Sequence, residues 1–222
     1  MEQKRYLITE DLNWKGYSME QLSNYITVLQ QTMDRLPRDL IASVIDILHD
    51  ARMNGRQVFI MGNGGSASTA THFVCDLAKN TRHPRLPHFR VIGLTDNMAI
   101  FSAYGNDEGY DQVFCQQLAN LVRPDDVVIG ISASGNSANV LNGIAEAKKH
   151  QTTTIAFTGF NGGRLGPMVD INIHVDSNII EHVEDIHLML EHMIVKTLKD
   201  RGYSEASFVD FVEAPVAGTL DA

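Results

Sequence analysis

The stretch DVVIGISASGNS, residues 126–137, joins a nearly continuous apolar run to a loop of serine, glycine and asparagine. A second stretch, QVFIMGNGGS at residues 57–66, has the same arrangement. Each apolar run predicts a buried strand, and the segment after each loop has the residue pattern of a helix. Such a loop binds anions, because unpaired amides and the positive end of the helix dipole point at the ligand. The two loops therefore predict a phosphorylated ligand rich in hydroxyl groups.

Length, composition and charge limit the class of protein. The chain has 222 residues, of which 44% are hydrophobic and 20% charged, as in a globular α/β domain with its own core. Its formal net charge of −9 argues against nucleic acid as the main partner, because nucleic-acid binding usually needs a basic surface. The N-terminus lacks the apolar region of a signal peptide, and no apolar run is long enough to span a membrane. We expect a cytoplasmic protein with no membrane partner.

The two cysteines, Cys75 and Cys115, lack the CxxC spacing of a redox or metal motif. Both lie in segments that predict helices. We therefore expect buried thiols in a reducing compartment.

The order of apolar and amphipathic segments predicts the fold class. Strands are predicted at 57–62, 89–94, 126–132, 153–158 and 170–175. Helices are predicted at about 66–80, 97–104, 110–122, 136–149 and 180–200. Buried strands separated by helices are typical of a parallel sheet covered on both faces. The prediction is an α/β protein with a doubly wound, five-stranded parallel sheet flanked by helices.

The same pattern divides the chain into four segments. Residues 1–17 are polar and predict an irregular N-terminal arm. Residues 18–56 predict an N-terminal helical hairpin, with Ser18 as the N-cap of its first helix and Pro37 in the first turn of its second. Residues 57–200 form the α/β domain. Residues 201–222 lose helical periodicity and are interpreted as a C-terminal tail.

A dinucleotide-binding interpretation of residues 62–67, GNGGSA, is weak. The residues fit G-x-G-x-x-A, but that pattern needs an acidic residue about 20 positions further on to bind a ribose. Here the next predicted strand ends at Thr95-Asp96, well beyond about 20 positions from the glycine loop. A dinucleotide-binding fold also leaves the serine-rich loop at 132–137 unexplained. Helix capping explains one or two residues of that loop but not its three hydroxyls. Phosphate binding at residues 132–137 is therefore favoured.

Two predicted helices carry side chains that bind metal ions. His72 and Asp76 are four residues apart and share a helix face. The last helix carries Glu184, Asp185, His187, Glu191 and His192. A histidine and a carboxylate from each helix could form a four-ligand metal site. Spacing alone does not choose among the pairs on the last helix, and a solvated charged face or a buried histidine remains the structural alternative.

Taken together, these motifs resemble the sugar isomerase (SIS) domain family, most closely its phosphoheptose isomerase branch, over residues 20–200. The motifs that carry the resemblance are GNGGS at 62–66, ATHF at 70–73, GND at 105–107, GISASGNSANV at 130–140 and TG at 158–159. The resemblance implies a homotetramer with active sites at subunit interfaces and one zinc ion per subunit. It also implies an aldose–ketose isomerase that converts sedoheptulose 7-phosphate to D-glycero-D-manno-heptose 7-phosphate through an enediol.

The resemblance also assigns roles to individual residues. The implied substrate contacts are Asn63, Gly64, Gly65, Ser66, Asp76, Asn106, Asp107, Ser132, Ala133, Ser134, Ser137 and Glu184. The implied metal ligands are His72, Asp76, Glu184 and His192. Asp76 is the implied catalytic base and His192 the implied acid.

This sequence departs from the family pattern at two of these positions. The family usually has Glu where this chain has Asp76, and Gln where it has Glu184. Asp76 reaches about 1.5 Å less far than Glu would, and a misplacement of about 1 Å can lower a rate on the order of 100-fold. Glu184 adds a negative charge that strengthens metal binding. Two other hypotheses remain: a non-catalytic SIS-fold sugar-phosphate sensor or regulator, and an isomerase of another sugar phosphate.

Overall fold

A five-stranded parallel sheet forms the centre of the protein. The computed structural model describes the backbone of residues 14–213 and the side chains of residues 19–202. The strands are β1 (Gln57–Gly62), β2 (Arg90–Gly93), β3 (Val127–Ser132), β4 (Thr153–Thr158) and β5 (Ile171–His174). Their order is β2-β1-β3-β4-β5, and every neighbouring pair is parallel. All five predicted strands are confirmed to within one residue at each end.

Seven α-helices lie within residues 14–213. They are α1 (Trp14–Asp34), α2 (Arg38–Met53), α3 (Gly65–Lys79), α4 (Met98–Asp107), α5 (Cys115–Leu121), α6 (Ala138–Lys149) and α7 (Ile180–Glu213). Helices α2 and α3 pack on β1 and on α7, whereas α6 packs on β3, β4 and α5. The chain crosses from β1 to β2 through α3, and from β3 to β4 in the opposite direction through α6. Right-handed crossovers in opposite directions place these helices on opposite faces of the sheet, so the doubly wound prediction is confirmed.

The chain divides into two compact units between Arg35 and Leu36. The first unit contains α1. The second contains α2, the sheet and α3 to α7, and α2 contacts β1, β5 and α7 within it. The predicted pairing of α1 and α2 in a hairpin stays a prediction.

The first helix begins earlier than predicted. It starts at Trp14 rather than Ser18, so Ser18 lies inside the helix and is not its N-cap. Gly16 lies inside the helix too, because one glycine destabilises a helix by only about 1 kcal/mol. The rest of the predicted arm, residues 1–13, lies outside the described residues. Pro37 precedes α2 as its N-cap residue rather than lying in its first turn.

The last helix ends later than predicted. It continues to Glu213 instead of ending near residue 200, so the predicted tail is helical over residues 201–213. Gly202 is again a single glycine in a long helix, and the chain has no proline between residues 168 and 214 to interrupt it. Residues 214–222 of the predicted tail lie outside the described residues.

Two helices between β2 and β3 also differ in detail from the prediction. Helix α4 extends to Asp107, and its N-cap Asn97 accepts a hydrogen bond at Oδ1 from the Ile100 amide at 3.3 Å. The predicted helix at 110–122 is instead a 3-10 turn (Tyr110–Gln112) followed by α5.

The hydrophobic core lies against the central strands β1 and β3, which are buried over almost their whole length. On one face, Phe59 and Met61 of β1 pack with Phe114, Leu118 and Ile144. This burial fixes the ends of the two central strands, where the predicted binding loops begin. No helix in the described part of the chain is long and apolar enough to cross a membrane.

Candidate active site

The two loops singled out in the sequence meet at the point where the sheet changes winding direction. Strands β1 and β3 are neighbours, with Gly62 in register with Ile131 near their C-terminal ends. The chain leaves β1 toward one edge of the sheet and leaves β3 toward the other. In open α/β sheets, ligands bind in the crevice that this divergence creates. Both loops are therefore placed where a ligand would bind.

The loop after β3 presents paired hydroxyl groups. Ser132 is almost fully buried, and its Oγ lies 3.2 Å from the Oγ of Ser137. Ser137 is the N-cap residue of α6, yet its side chain makes no capping hydrogen bond. The hydroxyl of Ser134 accepts a hydrogen bond from the Asn136 amide at 3.2 Å. Helix capping therefore does not account for Ser132 and Ser137, and both hydroxyls lie beside the N-terminus of α6.

The turn after β4 holds this loop in place. The amide of Gly159 donates to the Ala133 carbonyl at 2.8 Å, and the amide of Leu165 donates to the Gly135 carbonyl at 2.9 Å. A side chain at Gly163 would collide with the backbone of Ser134 and Gly135, and its φ of +54° also favours glycine. The serine loop is thus fixed before any ligand arrives.

The loop after β1 is linked directly to the helix after β3. The side-chain amides of Asn63 and Asn139 exchange two hydrogen bonds, each 2.8 Å long. The hydroxyl of Tyr110 donates a third bond to Asn63 Oδ1 at 2.9 Å. The next residue, Gly64, has φ +54°, which permits the sharp turn into α3. The predicted contact Ser66 is buried in the first turn of α3.

A cavity of about 730 Å³ opens beside the Asn63 loop. Its lining residues come from the β1 loop, α3, the end of β2 and α4, and include Asn63, Gly64, His72, Thr95 and Phe101. The predicted contacts Asn106 and Asp107 do not line it: both are exposed at the end of α4, where the Asn106 side chain donates to Asp107 Oδ1 at 2.7 Å. The hydroxyls of the serine loop do not line it either.

Four side chains from α3 and α7 converge next to this cavity. They are His72, Asp76, Glu191 and His192, and each offers a nitrogen or oxygen atom within 4.8 Å of the others. The His72 Nε2 lies 3.8 Å from Asp76 Oδ2, and the His192 Nε2 lies 3.3 Å from Glu191 Oε2. The two imidazole rings meet edge to face, with 5.0 Å between their centroids. Two imidazoles and two carboxylates are a donor set that suits zinc.

The two carboxyl groups of this cluster have different surroundings. Glu191 is fully buried, whereas Asp76 is slightly exposed and accepts a hydrogen bond from Asn80 Nδ2 at 2.7 Å. Burial, and then the negative charge of Asp76, raise the pKa of Glu191 to about 8. Without a metal ion, Glu191 is therefore largely protonated at neutral pH.

The predicted metal ligand Glu184 lies elsewhere. It projects from α7 two turns before His192, and its carboxylate lies against Gly65 at the N-terminus of α3. A Cβ atom at position 65 would stand 2.5 Å from Glu184 Oε1 and 2.8 Å from Oε2. Glu184 is not in the four-residue cluster, but it does border the predicted substrate contact Gly65.

The other candidates on α7 fit the structural alternatives. His187 is buried in the core, with its ring centroid 6.0 Å from that of Phe157, and burial lowers its pKa to about 4. It is a neutral core histidine at pH 7. Asp185 is exposed, as expected for a solvated helix face.

The prediction that both cysteines are buried is wrong for Cys75, which is exposed on α3 and lines the cavity. Cys115 is only partly buried.

The sequence left Glu191 as one alternative metal ligand on the last helix, and the family resemblance assigned it no role. Neighbouring residues on a helix point about 100° apart, so Glu191 and His192 do not share a face by spacing alone. The glutamate side chain is long enough to bend toward α3. Only the packing of α7 on α3 reveals that Glu191 is fully buried beside His192.

The chain is similar to known isomerases over most of its length. The SIS domain family profile matches residues 22–159. A phosphoheptose isomerase from Geotalea daltonii is 35% identical over 192 residues, which cover 84% of this chain and 98% of that protein.

Two solved structures have the same fold. A phosphoheptose isomerase from Francisella tularensis superposes with a TM-score of 0.75 at 31% identity, covering 82% of this chain and 98% of that one. A phosphoheptose isomerase from Neisseria gonorrhoeae gives a TM-score of 0.76 at 28% identity, covering 85% and 100%. The profile match, the shared fold and this extent of identity show that the chain belongs to the SIS domain family, in its phosphoheptose isomerase branch.

Proposed function

We propose that this protein is an aldose–ketose isomerase that converts sedoheptulose 7-phosphate to D-glycero-D-manno-heptose 7-phosphate. The observation that carries the proposal is the meeting of Asp76 and His192 from two different helices, within 4.8 Å and beside the ligand crevice. A carboxylate and an imidazole at this separation can work on neighbouring atoms of one sugar. The names of the similar proteins support the seven-carbon substrate.

The serine loop would hold the phosphate of the substrate. Ser132, Ser134 and Ser137 supply hydroxyl donors, and the first amides of α6 add the positive end of the helix dipole. Ala133 and Gly135 have small side chains or none, so phosphate oxygens can approach the backbone of the loop closely. The anchored phosphate then fixes the distance from the serine loop to the carbonyl end of the open-chain sugar.

The reaction needs one proton removed from carbon and one proton supplied to oxygen. Asp76 takes the proton from C1 of the ketose, and His192 gives a proton to the carbonyl oxygen at C2, which yields the 1,2-enediol. The proton on the C1 hydroxyl then leaves as C2 gains one, and the aldose forms. Positioned acids and bases of this kind each contribute about 100- to 10,000-fold to a rate.

We also propose one zinc ion per subunit, held by His72, Asp76 and His192 together with a carboxylate from α7; the family resemblance implies Glu184 for that fourth position, but its carboxylate lies at Gly65. Two histidines and two acidic residues fit the ion. When bound, zinc would polarise the carbonyl oxygen and favour the enediolate. Asp76 has two carboxylate oxygens, so it can coordinate with one and accept a proton with the other.

We extend the proposal to a cytoplasmic homotetramer whose active sites lie at subunit interfaces, as the family resemblance implies. The exposure of Asn106, Asp107 and the cavity-lining Met98 is consistent with completion of the site by a neighbouring subunit. The complete set of acid, base and metal-type ligands favours an enzyme over a sugar-phosphate sensor.

The test is a panel of ketose phosphates with five, six and seven carbons, assayed with zinc and after chelation. We expect turnover of sedoheptulose 7-phosphate above that of the shorter sugars, and loss of turnover on chelation. Asp76→Asn should abolish turnover while leaving inhibition by inorganic phosphate unchanged. Full activity of that variant would remove Asp76 as the base, and preference for a shorter sugar would overturn the substrate assignment.

A further inference from the structure

We propose that Glu191, and not Glu184, is the fourth metal ligand in this chain, so that the zinc site consists of His72, Asp76, Glu191 and His192. The inference rests on the metal site of the proposed function. It assigns the two glutamates of α7 different tasks: one holds the ion, and the other serves the loop that receives the substrate.

The first observation is position. Glu191 offers a carboxylate oxygen within 4.8 Å of ligand atoms of His72, Asp76 and His192. Ligand atoms that are each about 2 Å from one ion lie at most about 4 Å apart, so the side chains need to approach one another by less than about 1 Å to bind it. Two of the ligands come from α3 and two from α7, so the ion would join the two helices where they pack.

The second observation is the state of the Glu191 carboxyl group. The residue has no exposed surface, its Oε2 lies 3.3 Å from His192 Nε2, and neither oxygen accepts a hydrogen bond of good geometry from another described residue. Burying a charged carboxylate beside a second carboxyl group is unfavourable by several kcal/mol or more unless a cation is present. A divalent cation at this point removes that penalty, because it gives the oxygen a ligand of opposite charge.

The third observation is the balance of charge. With neutral imidazoles, Asp76 and Glu191 together carry two negative charges, which match the two positive charges of zinc. With the Glu184 carboxylate held at Gly65, an ion that Glu191 did not bind would keep a net positive charge next to the core residues that bury α7. The side chain of Glu191 is one methylene longer than that of Asp76, which reaches about 1.5 Å less far than a glutamate would. Glu191 projects from α7 and Asp76 from α3, so the two carboxyl groups approach the ion from different helices.

The fourth observation is that Glu184 is placed for another purpose. Its carboxylate covers Gly65 at the first turn of α3, where the helix dipole favours a negative charge. There it borders the Gly64–Gly65 backbone instead of the two histidines. A carboxylate in this position can accept a hydrogen bond from a sugar hydroxyl bound along the loop.

The decisive experiment measures zinc affinity by competition with a chromophoric chelator in wild type, Glu191→Gln and Glu184→Gln. Glu181→Gln, an exposed change on the same helix, is the matched control. We expect Glu191→Gln to weaken zinc binding by more than the roughly 10- to 100-fold that loss of an outer partner causes. We expect Glu184→Gln and Glu181→Gln to stay within about threefold of wild type, well below that range.

Cobalt substitution gives a second readout that does not depend on affinity. With Co²⁺ bound, the visible absorption bands should change in Glu191→Gln and stay unchanged in Glu184→Gln. Circular dichroism and the unfolding midpoint of the metal-free variants verify that each variant is folded. Glutamine at position 191 is neutral and has the same shape as glutamate, so it is compatible with the buried site.

Each outcome decides the assignment. Loss of zinc affinity in Glu184→Gln but not in Glu191→Gln would overturn it, and so would a wild-type protein that binds no zinc. Wild-type protein that binds zinc through Glu191 but does not convert sedoheptulose 7-phosphate would contradict the proposed function while leaving the ligand assignment intact.

Discussion

A carboxylate oxygen of Asp76 on α3 lies within 4.8 Å of one of Glu191 on α7, although the two residues are far apart in the chain. Like charges this close disfavour each other, so a proton on Glu191 or a bound cation stabilises the pair. The pair is therefore the part of the site that responds most directly to pH and to metal.

The metal-free protein should lose stability as pH rises, because of Glu191. Its pKa is about 8 in the folded protein against an ordinary value of 4.5. Between these values the unfolded chain releases the proton and the folded protein keeps it, so the free energy of unfolding falls with increasing pH. In the presence of chelator, Glu191→Gln should raise the unfolding midpoint by several degrees at pH 8 and much less at pH 5, since about 1 kcal/mol shifts the midpoint by roughly 2–4 °C.

The control for that measurement is Glu181→Gln, which changes an exposed carboxylate on the same helix. It should leave both midpoints close to wild type. An equal shift for Glu191→Gln at pH 5 and pH 8 would show that the buried carboxyl group does not titrate as described.

The serine loop predicts a selective effect on substrate binding. Ser132→Ala removes a hydroxyl that lies 3.2 Å from Ser137 Oγ and would donate to a phosphate oxygen. A hydrogen bond to a charged group contributes about 1.5–3 kcal/mol, so KM should rise about 10- to 100-fold with a smaller change in kcat. Ser43→Ala, which changes an exposed hydroxyl on α2 bonded to Asp39, should leave KM unchanged. An unchanged KM in Ser132→Ala would exclude this hydroxyl from the phosphate site.

Tyr110 should affect catalysis through Asn63. Its hydroxyl donates to Asn63 Oδ1 at 2.9 Å, and Asn63 lines the cavity. Tyr110→Phe removes that bond, which contributes about 0.5–1.5 kcal/mol, so kcat/KM should fall about 2- to 10-fold. Tyr104→Phe loses a bond of similar length to Asn120 without any contact to Asn63, and it should have no such effect. Equal effects of the two changes would assign the loss to stability rather than to Asn63.

Gly65 should tolerate no side chain while Glu184 is present. A Cβ at this position would stand 2.5–2.8 Å from the three carboxylate atoms of Glu184, so Gly65→Ala must displace either the carboxylate or the loop. We expect kcat/KM to fall by at least about 10-fold, in line with the effect of small displacements in active sites. Glu184→Ala removes the obstacle, so adding Gly65→Ala to it should cause little further loss. Fully additive effects of the two changes would contradict the contact.

Much of this architecture could be predicted from the sequence because it depends on local patterns. The apolar runs before Gly62 and Ser132 identify buried strands, and the loops that follow identify the ligand edge of the sheet. The pairing of His72 with Asp76 follows from helical spacing alone. These features require no knowledge of how distant segments pack.

The remaining features depend on packing between distant segments. Spacing on α7 allowed Glu184, His187 and Glu191 as alternatives, and only the contact of α7 with α3 places Glu191 near the histidines and Glu184 near Gly65. The continuation of α7 to Glu213 was missed because weak periodicity was interpreted as the end of a helix. A long helix continues unless a strong breaker stops it.

The central claim is that Asp76 removes the C1 proton of sedoheptulose 7-phosphate, that this proton exchanges with solvent, and that C2 of the enediol then receives a solvent-derived proton. The most direct measurement is the reaction of the zinc-loaded protein in D₂O, followed by NMR of the aldoheptose phosphate product. Proton transfer through an enediol predicts deuterium at C2 of the product. The Asp76→Asn variant should form no product and should introduce no deuterium into the substrate. Product formed without deuterium at C2, or full conversion by Asp76→Asn, would contradict the account.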